Sequence, residues 1–338
     1  MVESIFSDSQ ALDLTTADGV KVYLLRTRYK ATSVILLTGG FANFTYRVKL
    51  QTPFFDPSIS ALVSTIVLKH AEPYAALTRT CPIPVERQDY EVLAYREVPT
   101  IVSSFTGVSL PKVYYEDTDN RVIIMYDCGE SCITLKDYLK FHSVPLEVAR
   151  RIGNSLGRFI GELHVASHQN RPADSPGVLL KNKFERAQEL DAFGFFYGVI
   201  KRDLPRTTER YDEIIALLGN MHDVIVSSKE VLVMGDLGTG NVLIHGNHLE
   251  HLSVIDWEIA KSSLAVAASE TNSRDFNKIV KIVALGVGVD LIGRTPMEKP
   301  EWGYDERVGE IVSEGISFLL NVENDMWLRK SFLGALYV

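Results

Sequence analysis

Val231-Leu-Val-Met-Gly-Asp-Leu-Gly-Thr-Gly-Asn-Val-Leu-Ile244, followed closely by Leu252-Ser-Val-Ile-Asp-Trp-Glu258, decides the reading of this chain. Apolar strands deliver Asp236, Asn241 and Asp256 to one place, with Glu258 two residues further on. Asp-x4-Asn and then a strand ending in Asp is the spacing at which phosphoryl-transfer sites hold Mg²⁺ and aim a hydroxyl at ATP. One carboxylate takes or orients the proton of the attacking hydroxyl, while an amide and a second carboxylate hold the metal. Gly238 and Gly240 give the loop freedom to turn both Asp236 and Asn241 inward. Val242 to Ile244, a His245-Gly-Asn-His248 turn and Leu252 to Ile255 form a hairpin that returns Asp256 to the side of Asn241. Three acids and an amide converging there would be costly without a cation or substrate to hold.

Upstream, Val34 to Leu37 and Thr45 to Leu50 read as strands flanking Thr38-Gly-Gly-Phe-Ala-Asn43. Small residues in such a turn let backbone N–H groups approach phosphate oxygens, although a Gly-Gly hairpin turn alone has the same composition. Thr65 to Lys69 is a third strand, rich in β-branched residues. It ends in Lys69, placed to neutralise phosphates if a helix carboxylate holds it. Glu91 on the following helix, Glu86 to Val98, is the candidate, with Glu86 on the same helix as the alternative. That helix sets Tyr90, Leu93 and Ala94 on one face.

Length and composition set bounds. With 338 residues, 46% hydrophobic and 23% charged, the chain can bury a sizeable core. A net charge of −8 argues against a general nucleic-acid binder, which needs a basic face. Cys81, Cys128 and Cys132 lack a metal-ligand pattern and read as reduced thiols of a cytoplasmic protein. The N-terminus lacks the basic start and apolar run of a signal peptide. Ile279 to Ile292 is apolar, but Lys281 and Asp290 make it a buried helix and not a membrane span.

Along the chain, Tyr46, Val48 and Leu50 alternate with Arg47 and Lys49, the mark of a half-buried strand. Thr52 to Ser60, with Pro53, Asp56 and Pro57, reads as a loop. Val122 to Met125 is another strand, broken by Tyr126-Asp-Cys-Gly-Glu130. Helices follow. One carries Pro145 in its first turn, with Ser143 as a candidate cap, and has apolar residues at 156, 159, 160 and 163. His164 reads as a core histidine, while His245, His248 and His251 read as turn residues. The fold class is α+β: a strand-rich N-terminal lobe, residues 1–127, and a mainly helical C-terminal lobe, 128–338.

The ordered set Leu37-Thr-Gly-Gly-Phe-Ala-Asn-Phe-Thr-Tyr-Arg-Val-Lys-Leu50, Ile66-Val-Leu-Lys-His-Ala-Glu-Pro73, Val85-Glu-Arg87, Val231 to Asp236, Gly240 to Leu243 and Ile255-Asp-Trp-Glu258 carries a family likeness. The chain resembles small-molecule kinases with a bilobal protein-kinase-like fold: aminoglycoside phosphotransferases, choline kinases and, above all, methylthioribose kinase-like enzymes. The resemblance implies ATP and Mg²⁺ as cofactors and a small-molecule hydroxyl as acceptor, with no nucleic acid or membrane as partner. It implies that Gly39, Gly40, Phe41 and Asn43 cover the triphosphate and that Lys69, with Glu91, contacts it. It places the adenine ring against backbone groups of Met125, Tyr126 and Asp127. Asp236 would be the catalytic acid, and Asn241, Asp256 and Glu258 would serve Mg²⁺.

The chain departs from that family in two places. Met234-Gly235-Asp236 stands where many relatives have His-Gly-Asp, which removes an orienting group and leaves the acid. After Glu258, Ile259 to Glu270 lacks the Asp-x-Gly-like element of relatives, and about a helical hairpin is skipped before Phe276 to Leu291. Either the acceptor site is rebuilt, or the protein is a catalytically impaired nucleotide binder or scaffold.

Overall fold

The computed structural model describes residues 12–186, 192–208, 210–245, 248–263, 313–317, 320–321, 324 and 326. The helix expected at 279–292 and the departing segment from residue 264 onward lie outside them. The architecture is α+β, and the chain divides into two compact units. One comprises residues 1–100, 104–155 and 237–258; the other comprises 101–103, 156–236 and 259–338.

In the first unit, helix α1 (Ala17–Leu24) precedes strands β1 (Ala31–Leu36), β2 (Phe44–Asp56) and β3 (Ala61–His70). Helix α2 (Arg87–Ile101) leads to β4 (Val108–Ser109), β5 (Val113–Asp117), β6 (Val122–Tyr126) and β7 (Cys132–Thr134). Five strands form one antiparallel sheet in the order β1-β2-β3-β6-β5. The alternation read in β2 is present: Phe44, Tyr46, Val48 and Leu50 are buried and meet Val20, Tyr23 and Leu24 of α1 and Ile66 and Leu68 of β3 in one core. Thr16 caps α1 through a side-chain bond from Gly19 N–H.

Residues 52–56 are strand, not the expected loop. The pairing of β2 with β3 shifts register between Lys49 and Phe54, and the pairing with β1 ends at Leu50. Pro53 therefore falls where a bulge relieves it of ladder donation, which is how a proline is accommodated in a strand.

Helix α3 (Leu135–Phe141) is capped by Thr134, and α4 (Leu146–Ser167) follows. Pro145 stands just ahead of α4, where its carbonyl accepts from Val148 and Ala149 N–H at 2.9 and 3.0 Å; it is not in the first turn. Phe159, Leu163 and His164 of α4 are buried, and burial lowers the His164 pKa to about 4.

The second unit also holds α5 (Pro176–Lys183), α6 (Ala192–Asp203), α7 (Tyr211–Ser227) and β8 (Val231–Val233). Ile200, Leu204, Tyr211, Ile214 and Leu218 form its core. In the first unit, β9 (Val242–His245) and β10 (His248–Val254) make the expected hairpin in a four-stranded sheet ordered β4-β10-β9-β7. His245, His248 and His251 are therefore strand residues and not turn residues; His245 Nδ1 lies 3.3 Å from Cys132 Sγ. Strand β11 (Lys261–Ser263) pairs with β8. Among the described residues no helix is long and apolar enough to cross a membrane. Cys81, Cys128 and Cys132 are free thiols.

Candidate active site

Lys69 occupies the centre of the five-stranded sheet, paired to Thr45 of β2 and Ile123 of β6. Its stem is covered and its ammonium is buried. Lys69 Nζ donates to Glu91 Oε1 at 2.7 Å and also bonds the Asp256 carboxylate. Glu86, the other candidate, is exposed. Burial works against the Lys69 charge, but Asp256, Glu91 and Glu258 outweigh it and hold the ammonium above the ordinary lysine pKa. Burial likewise pushes the Glu91 carboxyl up, with Lys69 pulling against it.

One helical turn past Glu91 stands Tyr95. Its hydroxyl donates to Glu91 Oε1 at 2.9 Å and accepts the Asp256 backbone N–H at 3.0 Å. Asp256, Tyr95, Glu91 and Lys69 thus close a ring of hydrogen bonds. Asp256 has a φ of +70°, a left-handed backbone for a residue other than glycine, which costs about 1–3 kcal/mol and persists only where its surroundings fix it. The bond to Tyr95 is part of what fixes it.

Glu258 is anchored separately. Its Oε2 accepts from Asn43 Nδ2 at 2.6 Å and from Arg87 Nε at 3.1 Å. Between the two acids, Trp257 is fully buried. Burial, and then the neighbouring Asp256 carboxylate, raise the Glu258 pKa to about 7. Glu91, Asp256 and Glu258 offer ligand oxygens within 4.8 Å of one another, and Lys69 and Arg87 are the cations bonded to them. Three carboxyl groups thus crowd one spot, and Glu91 Oε2 is buried without a hydrogen-bond partner. Such a cluster of hard oxygen donors fits a divalent cation of the Mg²⁺ type.

Asn241 ends a short 3-10 turn, Thr239–Asn241. Its carbonyl accepts Ile255 N–H at 3.0 Å, which ties this loop to the residue preceding Asp256. Asp236 follows Gly235, whose φ is +89°. A Cβ at Gly235 would lie 2.2 Å from the Ile259 carbonyl oxygen, so only glycine fits there. Asp236 is half-buried and is the last residue of its segment of the second unit.

The glycine turn has two ends of different character. Gly39 has a φ of +100°, and no atom lies within 4 Å of where its Cβ would be. Open space beside Gly39 leaves its backbone approachable. Asn43 is buried, and its side chain turns toward Glu258 and Arg87. Phe41 and Ala42 accept backbone bonds from Leu77 and Ala76 at 3.0 and 3.2 Å.

Met125 is buried within β6, and Tyr126 N–H donates to the Lys112 carbonyl at 2.8 Å. The Asp127 carboxylate is taken by Arg47, at 2.8 and 3.0 Å, and by Gly129 N–H at 3.0 Å. Its side chain serves the chain itself and leaves only backbone for a ligand.

Asn43, Lys69, Glu91, Asp256 and Glu258 therefore meet in one cluster of two hydrogen-bonded groups, joined where the Glu91, Asp256 and Glu258 oxygens come within 4.8 Å of one another, with Asn241 tied to its edge. Arg87 and Tyr95 belong to it and were missed from the sequence. The available signal was the spacing Arg87, Glu91, Tyr95, a polar stripe on one helical face.

Comparison with known proteins agrees with this chemistry. Residues 61–267 match the model of a family described as "Phosphotransferase enzyme family". The 4-hydroxytryptamine kinase of Psilocybe cubensis is 32% identical over 282 residues, covering 74% of this chain and 70% of that protein. The 4-hydroxytryptamine kinase of Psilocybe cyanescens is 26% identical, covering 93% of this chain and 94% of that protein. A gentamicin complex of APH(2")-IIa aligns over 90% of this chain and 96% of that chain, at 17% identity and a TM-score of 0.44. With the family match running through well over half of its length, the chain belongs to the phosphotransferase enzyme family.

Proposed function

We propose that this phosphotransferase moves the γ-phosphate of ATP to a hydroxyl of a small metabolite. The observation that supports this most is the closed ring of Lys69, Glu91, Tyr95 and Asp256, which holds an ammonium and the Asp256 carboxylate in fixed relation. In this reading the backbone of Gly39 to Phe41 covers the triphosphate and Lys69 neutralises its oxygens. Backbone groups of Met125 to Asp127 meet the adenine ring. Asp236 accepts the proton of the acceptor hydroxyl as its oxygen bonds to the γ-phosphorus and the bond to the β,γ-bridging oxygen breaks. Asn241, Asp256 and the uncommitted oxygen of Glu258 would hold Mg²⁺, which when bound spreads the charge of the phosphate oxygens.

The functional division into a nucleotide-binding lobe, 1–127, and a catalytic, acceptor-binding lobe, 128–338, belongs to the same proposal, as does action in the cytoplasm. For the acceptor, the two Psilocybe relatives favour a hydroxylated amine over a sugar-like alcohol. The net charge of −8 suits a cationic acceptor as well.

The test is ADP release from Mg-ATP with hydroxylated amines, sugar-like alcohols and no acceptor. The expected result is release that rises with a hydroxylated amine and leaves a phosphate monoester as product. Binding of ATP with no acceptor-stimulated release would reject the transferase reading in favour of a nucleotide-binding scaffold.

A further inference from the structure

We infer that Arg87 is a positioning residue that clasps the glycine turn and the Asp256–Glu258 segment together, with Asn43 and Glu258 as the other two corners. A guanidinium has five N–H donors in a planar fork, and Arg87 is 2% exposed. Every one of the five is placed. Nε donates to Glu258 Oε2 at 3.1 Å. Nη1 donates to the Glu72 and Pro84 carbonyls at 3.1 and 2.7 Å. Nη2 donates to the Ala42 carbonyl at 3.2 Å and to Asn43 Oδ1 at 2.8 Å. The third side of the triangle is the bond from Asn43 Nδ2 to Glu258 Oε2 at 2.6 Å.

Two features make this more than a buried ion pair. Asn43 ends the turn that begins at Gly39, and Glu258 lies two residues past Asp256, so one guanidinium sets the register of both. Arg87 also shares its helical face with Glu91 and Tyr95, four and eight residues on. The first fixes Lys69 and the second holds the Asp256 backbone. Helix α2 thus fixes the segment at Asp256 through Tyr95 and at Glu258 through Arg87. The same helix controls the glycine turn, and a rigid polar stripe of this kind keeps a site within the tolerance that phosphoryl transfer needs.

This inference rests on the proposed nucleotide site, and its test separates the two. Arg87→Lys keeps the charge but cannot reproduce the fork. Hydrogen exchange on the full chain needs no activity. Arg87→Lys is expected to raise exchange in residues 38–44 and 255–258 together, while β5 and β6 stay as in wild type. In turnover, Arg87→Lys is expected to lower kcat/KM for Mg-ATP by about a hundredfold and leave KM for the acceptor within about twofold. Asn43→Ser removes the bridge between the other two corners and is expected to show the same pattern. The double variant should then be no worse than Arg87→Lys alone, as for residues acting as one unit. Unchanged exchange in either segment, or additive losses, overturns the clasp. If Arg87→Lys does not fold, Asn43→Ser alone decides by the same two measurements. A coupled rise in exchange in the variants, with wild-type protein that turns over no ATP, rejects the proposed function and leaves the clasp standing.

Discussion

Asp236→Asn is expected to lower acceptor-dependent ADP release by about 10²- to 10⁴-fold, the range by which a positioned general base accelerates a reaction. The substitution keeps volume and planarity and removes the capacity to take a proton. Met234 is buried and Gly235 is locked against the Ile259 carbonyl, so the turn that presents residue 236 does not depend on its charge. Affinity for Mg-ATP should therefore stay near that of wild type while kcat falls. That split marks an interaction made in the transition state rather than in the ground state. A loss of kcat smaller than about tenfold would remove Asp236 from the role of base, since it amounts to less than about 1.4 kcal/mol of barrier and falls short of what a positioned base supplies.

Lys69→Met is expected to damage stability and turnover together. Removing the ammonium leaves Glu91 and Asp256 facing each other with Glu258 nearby. Breaking a buried ion pair in this way costs about 3–5 kcal/mol, measurable by denaturant unfolding. Loss of a donor aimed at the phosphates should also cost about 10²- to 10³-fold in kcat. The sign of the pH dependence follows from the carboxyls. Burial already raises Glu91 and Glu258 above the ordinary carboxylate range, and loss of Lys69 raises them further. The folded variant then holds protons that the unfolded chain has released, so its stability grows as pH falls. The deficit against wild type should be smaller at about pH 5 than at about pH 8. A deficit that does not change with pH would show that the carboxyls are not stressed as described.

What could be read in the sequence, and what could not, follows from where chemistry constrains residue type. Asn241 and the segment ending at Asp256 come together as their spacing predicts, because the β9–β10 hairpin folds the chain back beside itself. Strand β2 was legible up to Leu50 because one of its faces is buried and period two records that. It was lost beyond Gln51, where a bulge lets Pro53 sit in a strand.

Helix α2 was placed well, but the face read from its apolar residues is only part of what it buries. Of Tyr90, Leu93 and Ala94, only Ala94 is fully buried, beside Arg87, Gln88, Glu91, Val92, Tyr95 and Val98. A helix that buries charge cannot be oriented by counting apolar residues, because what pays for its burial lies far away in sequence, at Lys69, Asn43 and Glu258. The side-chain partners of Asn43 were hidden for the same reason: Arg87 lies 44 residues later and Glu258 lies 215.

The most direct test of the account is thermal unfolding of the full chain with ATP, with and without Mg²⁺. The account predicts stabilisation of about 2.7 kcal/mol when nucleotide is a hundredfold above its dissociation constant. The gain should require Mg²⁺, persist in Asp236→Asn and be lost in Asp256→Asn. Superimposable unfolding curves with and without Mg-ATP would contradict it.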